Sequence, residues 1–407
     1  MKSSPCGLFA TNWREIGSVF LKLGLTAYGG PAIMGIMQAE LQEKRQWIPK
    51  ERFVEGLSLV NMLPGATATQ LGIFLGYARG GWWGGLLAGL CFVLPGFFIL
   101  LALTVGYAAY GATPVLSEAL YGLGPVVLGV FVVALYRLLK SAMATLPQLM
   151  IAATAAFGSA LGPFGVVAML ALAGAVGVLL FHSRKLGVIA FSVVAVLILI
   201  TQIAPWSMME LVSLSAESDA FGHAPTLSRI GSLFFVVGAF SFGGGLAMIA
   251  FIQEQVVNQY SWLTAREFVD GLALGQLTPG PILMVSAYVG YKLAGAWGAA
   301  VGAASIFLPS FVLMLSVLPA FERARKLLWT RAAMKGIGPA VIGVLAVSLF
   351  QLAPHALPDP IAIAVFIGTV SGLLAWRISA IKLMVAGALV GVLKSRFLAL
   401  LHARGTL

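Results

Sequence analysis

The sequence predicts an all-α polytopic membrane protein made of two homologous repeats of inverted topology, and three observations carry that expectation. Of 407 residues, 60% are hydrophobic and only 10% charged, whereas charge runs near a quarter in soluble globular domains. One set of motifs occurs twice, about 214 residues apart. In both copies Gly and Pro interrupt segments too short to cross a bilayer, a combination that points to half-helix hairpins.

The two copies match anchor by anchor. Tyr28-Gly29-Gly30-Pro31 answers Phe242-Gly243-Gly244-Gly245, and Trp47-Ile48 answers Trp262-Leu263. Phe53-Val54-Glu55-Gly56 corresponds to Phe268-Val269-Asp270-Gly271, and Leu63-Pro64-Gly65 to Thr278-Pro279-Gly280-Pro281. Leu94-Pro95-Gly96-Phe97 recurs as Leu308-Pro309-Ser310-Phe311, and the Gly-x-Gly-Pro run at 122–129 recurs at 336–343. Matches this dense mark a duplicated domain. The expected division is an N-terminal repeat over 1–205, an extracytoplasmic linker over 206–228 and a C-terminal repeat over 229–407, with about 9–13 hydrophobic segments in all.

Each segment follows from length and punctuation. Apolar runs near 82–105, 120–136, 147–161, 164–181 and 186–204 approach the roughly 20 residues of a membrane helix. The segments 53–63 and 66–77 hold 11 and 12 residues, about 16–18 Å as helix and half of a ~30 Å hydrocarbon core. The stretches flanking Gly29-Gly30-Pro31 read as similarly divided. The N-terminus (residues 1–15) is polar and has no signal-peptide apolar core.

Loop charge orients the copies oppositely. Residues 107–119 carry no Lys or Arg, while their counterparts at 320–335 hold Arg323, Arg325, Lys326, Arg331 and Lys335. The preceding segment reverses this, with Lys44, Arg45, Lys50 and Arg52 against Glu254, Arg266, Glu267 and Asp270. Residues 206–228 contain Glu210, Glu217 and Asp219 with no Lys or Arg before Ser228. By the positive-inside rule the halves are inverted. Lys394, Arg396 and Arg404 fit neither side of this scheme cleanly. The net charge of +11 is read as topology, not as a nucleic-acid surface.

Other chemistries find little support. Cys6 and Cys91 are too few for a structural metal site, and His182, His223, His355 and His402 fall in loops or at segment ends. No nucleophile–base pair, metal cluster or phosphate loop is evident, so neither an enzyme, nor a metal, nor a cofactor is expected.

The broken segments are the candidate site. A half-helix that begins inside the membrane presents free N–H groups and a positive dipole end, which suits an anion. Glycine allows the backbone to approach a ligand closely. The candidate substrate-binding residues are Gly29, Gly30, Pro31, Pro64, Gly65, Gly243, Gly244, Gly245, Pro279, Gly280 and Pro281 on the backbone side. Asn61, Thr67, Gln70 and Gln276 supply side chains, with Thr69 and Ser286 as further neutral hydrogen-bonding groups. The bland alternative is that small residues only allow helices to pack closely, and Gly84-Gly85 and Gly89 are read that way. Lys22 is an ionisable group inside a membrane segment, functional by default or else snorkelling to an interface. Glu55 and Asp270 are matched acids that are candidates for a coupling proton.

The motif set resembles the chromate ion transporter (CHR) family in its long, two-domain form. The resemblance rests on 20–31 (Phe-Leu-Lys-Leu-Gly-Leu-Thr-Ala-Tyr-Gly-Gly-Pro), Glu40…Lys44-Arg45-x-Trp47, Leu63-Pro64-Gly65…Thr69-Gln70-Leu71…Gly76-Tyr77 and Leu94-Pro95. In the second half it rests on 240–245, Gln276-Leu-Thr-Pro-Gly-Pro281…Gly290-Tyr291 and 307–311. It implies secondary export of chromate from the bacterial cytoplasm across the inner membrane, driven by membrane potential or proton gradient, and chromate resistance. Sulfate or another oxyanion is the alternative substrate, and a neutral-solute carrier or a membrane enzyme lies further off. Membrane lipid is an implied partner and a second copy of the chain a candidate one. One departure stands out: Pro64-Gly65-Ala66 replaces the Pro-Gly-Pro common in the family's first half.

Overall fold

A computed structural model of the protein describes residues 5–27, 31–60, 63–110, 113–142, 145–161, 166–181, 225–241, 246–320, 328–376 and 378–403, with scattered positions between 183 and 195. Regular structure among these residues is helical throughout. The first half contains α1 (Pro5–Thr26), α2 (Pro31–Met37), α3 (Lys50–Val60), α4 (Thr67–Tyr110), α5 (Pro114–Ala142), α6 (Leu146–Leu161) and α7 (Val166–Phe181). The second contains α8 (Leu227–Ala239), α9 (Leu246–Gln253), α10 (Ala265–Leu277), α11 (Val285–Val317), α12 (Leu328–Ala356), α13 (Pro360–Leu374) and α14 (Ala380–Ala403). The linker expected at 206–228 and the crossing expected near 186–204 lie largely outside the described residues.

Among the described residues, four helical segments are long and apolar enough to cross a bilayer: Thr67–Tyr110, Glu118–Lys140, Ile282–Val317 and Lys335–Ala356. Leu146–Ala160, Ala168–Phe181, Leu227–Ala239 and Pro360–Leu374 are shorter apolar helices. Two of the long ones are in fact hairpins. As one straight rod, the 44 residues of α4 would reach about 66 Å. Instead Gly80 (φ −139°) and Gly81 (φ +64°) leave helical geometry. A Cβ placed on Gly76 would then lie 2.3 Å from the Ala88 Cβ and 2.4 Å from the Gly84 carbonyl oxygen. Residues two or three turns apart touch only because the chain folds back on itself. The same reversal occurs at Ala294 and Gly295 (φ +60°) in α11, where a Cβ on Gly290 would sit 2.1 Å from the Gly298 carbonyl oxygen. The short arm 67–79 is the half-helix expected from the sequence, and Gly84 packs at the hairpin seam.

The duplication holds at the level of single backbone angles. α2 and α9 each pass into a π-helical turn, Gln38–Lys44 and Glu254–Gln259. Gln46 (φ +52°) and Ser261 (φ +50°), 215 positions apart, are the two non-glycine residues with positive φ among those described. Trp47 N–H then donates to Leu41 (2.9 Å) and Trp262 N–H to Val256 (2.8 Å), which are again equivalent residues. One difference is length: α1 has 22 residues, whereas its counterpart α8 has 13. Within the part of α1 that α8 matches, Glu15 accepts from Trp47 Nε1 (3.1 Å) and Arg79 Nη2 (2.9 Å). At the matching corner of the second half Arg229 lies over the rings of Tyr260 (4.8 Å) and Trp262 (5.8 Å).

The halves are interleaved. α5 packs on α13 and α14 of the second half, and α12 packs on α6 and α7 of the first. The seams use equivalent glycines: a Cβ on Gly122 would meet the Gly387 carbonyl oxygen at 1.9 Å, and one on Gly336 the Ala173 carbonyl oxygen at 2.0 Å. Such contact lets apolar helices gain dispersion energy and close backbone approach where lipid supplies no hydrophobic drive. At this seam Lys394 of α14 pairs with Asp359 at the start of α13 and contacts Tyr121 of α5. Its charge is therefore met locally, which explains its poor fit to the loop-charge pattern.

Candidate functional site

The two Pro-Gly turns each contact the opposite half. Each turn follows a short helix, α3 or α10, and precedes the short arm of a hairpin. Gly65 has φ +132° and Gly280 φ +105°, a region that L side chains rarely adopt. Gly65 N–H donates to the Ser241 carbonyl oxygen at 2.5 Å, and Gly280 N–H to the Ala27 carbonyl oxygen at 2.9 Å. Ala27 and Ser241 are themselves equivalent, each just ahead of its half's Gly-Gly break. Each half's turn is thus tied to the broken helix of the other half. The expectation that these turn N–H groups stand open to an anion is met only in part, because both glycine donors are engaged. The first-turn N–H groups of the α4 short arm still lack intrahelical partners by helix geometry.

The Leu-Pro helices press on the same turns, again across the halves. A Cβ on Gly96 would fall 2.6 Å from the Pro279 carbonyl oxygen. Its equivalent, Ser310, uses its Oγ to accept the Ala66 N–H at 2.7 Å. This accounts for the Pro-Gly-Ala departure. Pro281 has no N–H to satisfy and the residue matching Ser310 is Gly96, whereas Ala66 has an N–H and meets a serine.

Polar side chains gather here without partners. Thr67 and Thr278 are buried, and Thr69, Gln70, Ser241 and Ser286 are fully so. Thr69 Oγ1, Gln70 Oε1, Ser241 Oγ, Gln276 Nε2 and Ser286 Oγ have no hydrogen-bond partner among the described residues. Buried polar atoms are normally satisfied, so each exception asks for a reason. Gln70 Nε2 donates to the Pro64 carbonyl oxygen at 2.6 Å, which fixes the amide and turns Oε1 away from that carbonyl.

Not every candidate is brought to this point. Pro64, Gly65, Gln70, Pro279, Gly280 and Pro281 lie at or beside the turns, and Pro31 opens α2. Gly29, Gly30, Asn61, Gly243, Gly244 and Gly245 lie outside the described residues. Lys22 is exposed on the face of α1 shared with Leu21 and Leu25. The matched acids differ. Glu55 is half-buried and pairs with Arg52 at 3.1 Å. Asp270 is 6% exposed, accepts from Tyr107 Oη of the other half at 3.0 Å and faces Arg266 at 3.4 Å. Beside it Lys292 pairs with Glu267 at 2.9 Å, and Tyr288 Oη donates to the Glu267 carbonyl oxygen. Sequence reasoning missed Ser241, Ser310 and Tyr107, whose partners are distant in the chain. The one available signal was the serine at 310 where the first copy has Gly96.

Comparison with known proteins decides the family. The profile described as chromate transporter matches residues 14–178 and, a second time, 228–392. The chain belongs to the chromate transporter family. It is 33% identical over 392 residues to a chromate transport protein of Cupriavidus metallidurans, covering 93% of this chain and 92% of that one. It is 30% identical to a probable chromate transport protein of Synechococcus elongatus, over 86% and 87% of the two chains. A chromate transport protein of Pseudomonas aeruginosa is 28% identical over 93% and 92%. No solved structure matches the chain. The family is one of transporters and not of enzymes, and its apolar helices make this chromate transporter homologue a multi-pass membrane protein.

Proposed function

We propose that the chain is a secondary transporter that exports chromate from the bacterial cytoplasm across the inner membrane, driven by membrane potential or the proton gradient, and so gives chromate resistance. The observation that carries this reading is the crossed pair of backbone bonds from Gly65 to Ser241 and from Gly280 to Ala27, with buried hydroxyl and amide groups without partners in the same segments. Backbone irregularity at membrane depth is tolerated only inside protein or beside a cavity. A substrate path is such a place, and neutral donors beside a helix start favour an anion. The names of the relatives supply chromate as the oxyanion.

The two repeats, 1–205 and 229–407 with a linker between them, run in opposite directions through the membrane in this account. The reversed loop charges and the reciprocal contacts of Gly65 and Gly280 support that arrangement. Asp270, buried and held by Tyr107 from the other half, is the stronger candidate for proton coupling, and Glu55 the weaker. Sulfate has the same tetrahedral shape and charge as chromate, so it is the second reading.

Counterflow with labelled chromate and labelled sulfate in proteoliposomes tests the proposal. Uptake of chromate against excess internal chromate, with weaker competition by sulfate, is the expected result. Sulfate counterflow without chromate counterflow would transfer the assignment to the second reading, and neither would remove both.

A further inference from the structure

The two turns are related by duplication but differ in chemistry, and the difference locates the substrate. Four fully buried polar residues belong to the first Pro-Gly turn: Thr69, Gln70, Ser241 and Ser310. Gln70 and Ser310 approach Gly65 directly, since a Cβ there would lie 2.3 Å from Gln70 Nε2 and 2.5 Å from Ser310 Oγ. Ser241 holds the Gly65 N–H through its carbonyl. The hairpin glycines Gly76 and Gly290 set the register of the two short arms. In that register the counterparts of Thr69 and Gln70 are Leu283 and Met284. Those of Ser241 and Ser310 are Ala27 and Gly96. All four are apolar and buried, and the Met284 side chain reaches the Gly96 position, 3.8 Å from a Cβ there.

We propose, resting on the oxyanion-transport reading, that the substrate site is single and lies at the first Pro-Gly turn. The Thr69, Ser241 and Ser310 hydroxyls are its donors, and the second turn, where the matching positions are apolar, is a pivot. The hydroxyls of Thr69 and Ser241 have no partner among the described residues, and Ser310 keeps its own proton to give after accepting from Ala66. All three stand at the positive start of the α4 short arm, where an anion is favoured and a cation is not. Both halves contribute, Thr69 from one and Ser241 and Ser310 from the other, so relative movement of the halves would take the site apart. The second half's unpartnered groups, Gln276 Nε2 and Ser286 Oγ, mark the competing location.

The test is chromate affinity of the purified full chain, per amount of folded protein, in five variants. Thr69→Val and Ser241→Ala each weaken binding by about tenfold or more, the effect of removing one hydrogen bond to a charged group. Thr69→Ser, which keeps the hydroxyl, stays near wild type and separates binding from packing. Ser286→Ala and Gln276→Leu change affinity by less than about threefold. Unchanged affinity in the first two, with loss in the last two, would place the site at the second turn and overturn the proposal. Wild-type protein that binds and transports no oxyanion would instead fail the functional reading itself.

Discussion

Ser310 accepts the backbone N–H of Ala66 across 244 positions of sequence, at 2.7 Å, while the equivalent residues in the duplicate are Gly96 and Pro281, a residue with no N–H to offer. The two copies thus differ in both members of this residue pair, the serine occurring in the copy that meets an N–H. The contact has a measurable consequence. Ser310→Ala leaves a buried N–H unpaired and costs about 1–3 kcal/mol. Adding Ala66→Pro removes the orphaned donor and restores most of that stability. A double-mutant cycle on thermal unfolding in detergent measures the coupling, and additive effects would contradict the account.

Gly65 and Gly280 share positive φ but not surroundings. A Cβ on Gly65 collides with Gln70 and Ser310, whereas the nearest atom to one on Gly280 is the Gly96 Cα at 3.9 Å. Gly280→Ala therefore carries only the backbone strain, about 1–3 kcal/mol. Gly65→Ala carries that strain and displaces two buried side chains. Folded yield and melting temperature should fall clearly further for Gly65→Ala, and equal losses would mean that the collision is relieved elsewhere.

Asp359 caps α13 at the cross-repeat seam. Burial opposes its ionisation, but bonds from Lys394, Tyr121 and the Ala362 N–H bring its pKa down to about 2. The unfolded value is near 3.9. A depressed acid adds stability that is complete above the unfolded value and lost as pH falls through the folded one. Melting temperature should therefore decline between about pH 5 and pH 2, and Asp359→Asn should flatten part of that decline. An unaltered profile would show that the cap adds nothing to stability.

If the repeats are oppositely oriented as proposed, Ser117 lies outside and Ala324 in the cytoplasm. Single cysteines at these positions, in a background lacking Cys6 and Cys91, report it by labelling of intact cells with an impermeant thiol reagent. Labelling at Ser117→Cys only is expected. Labelling at Ala324→Cys only would contradict inversion.

Much of the fold was legible because duplication repeats every local signal twice. Paired Trp47 and Trp262, paired Pro-Gly motifs and half-length runs such as 66–77 led to helices interrupted at the right places. The reversal at Gly80–Gly81 was harder to see, since helix continues on both sides and the neighbouring Gly84 reads as packing. α1 proved longer than half a span: it begins at Pro5, ahead of Trp13, the counterpart of the first residue of α8, Leu227. Of the site, Gln70 and the Pro-Gly glycines were visible in local motifs. Ser241 and Tyr107 were not, because their significance lies in contacts with the other half. The matched acids Glu55 and Asp270 looked alike in sequence, and only tertiary placement buried one of them, with a tyrosine of the other half as its partner.

The most direct test of the central claim is chromate flux in proteoliposomes with a valinomycin-clamped potential and no pH gradient. Each charge crossing 100 mV is worth about 2.3 kcal/mol. An inside-negative cell therefore favours outward movement of a dianion by roughly 4.6 kcal/mol, close to a two-thousandfold gradient. Flux toward the positive side that rises with voltage is the predicted result. Flux indifferent to voltage would contradict voltage-driven export, and no chromate flux in either direction would contradict the assignment of chromate as substrate.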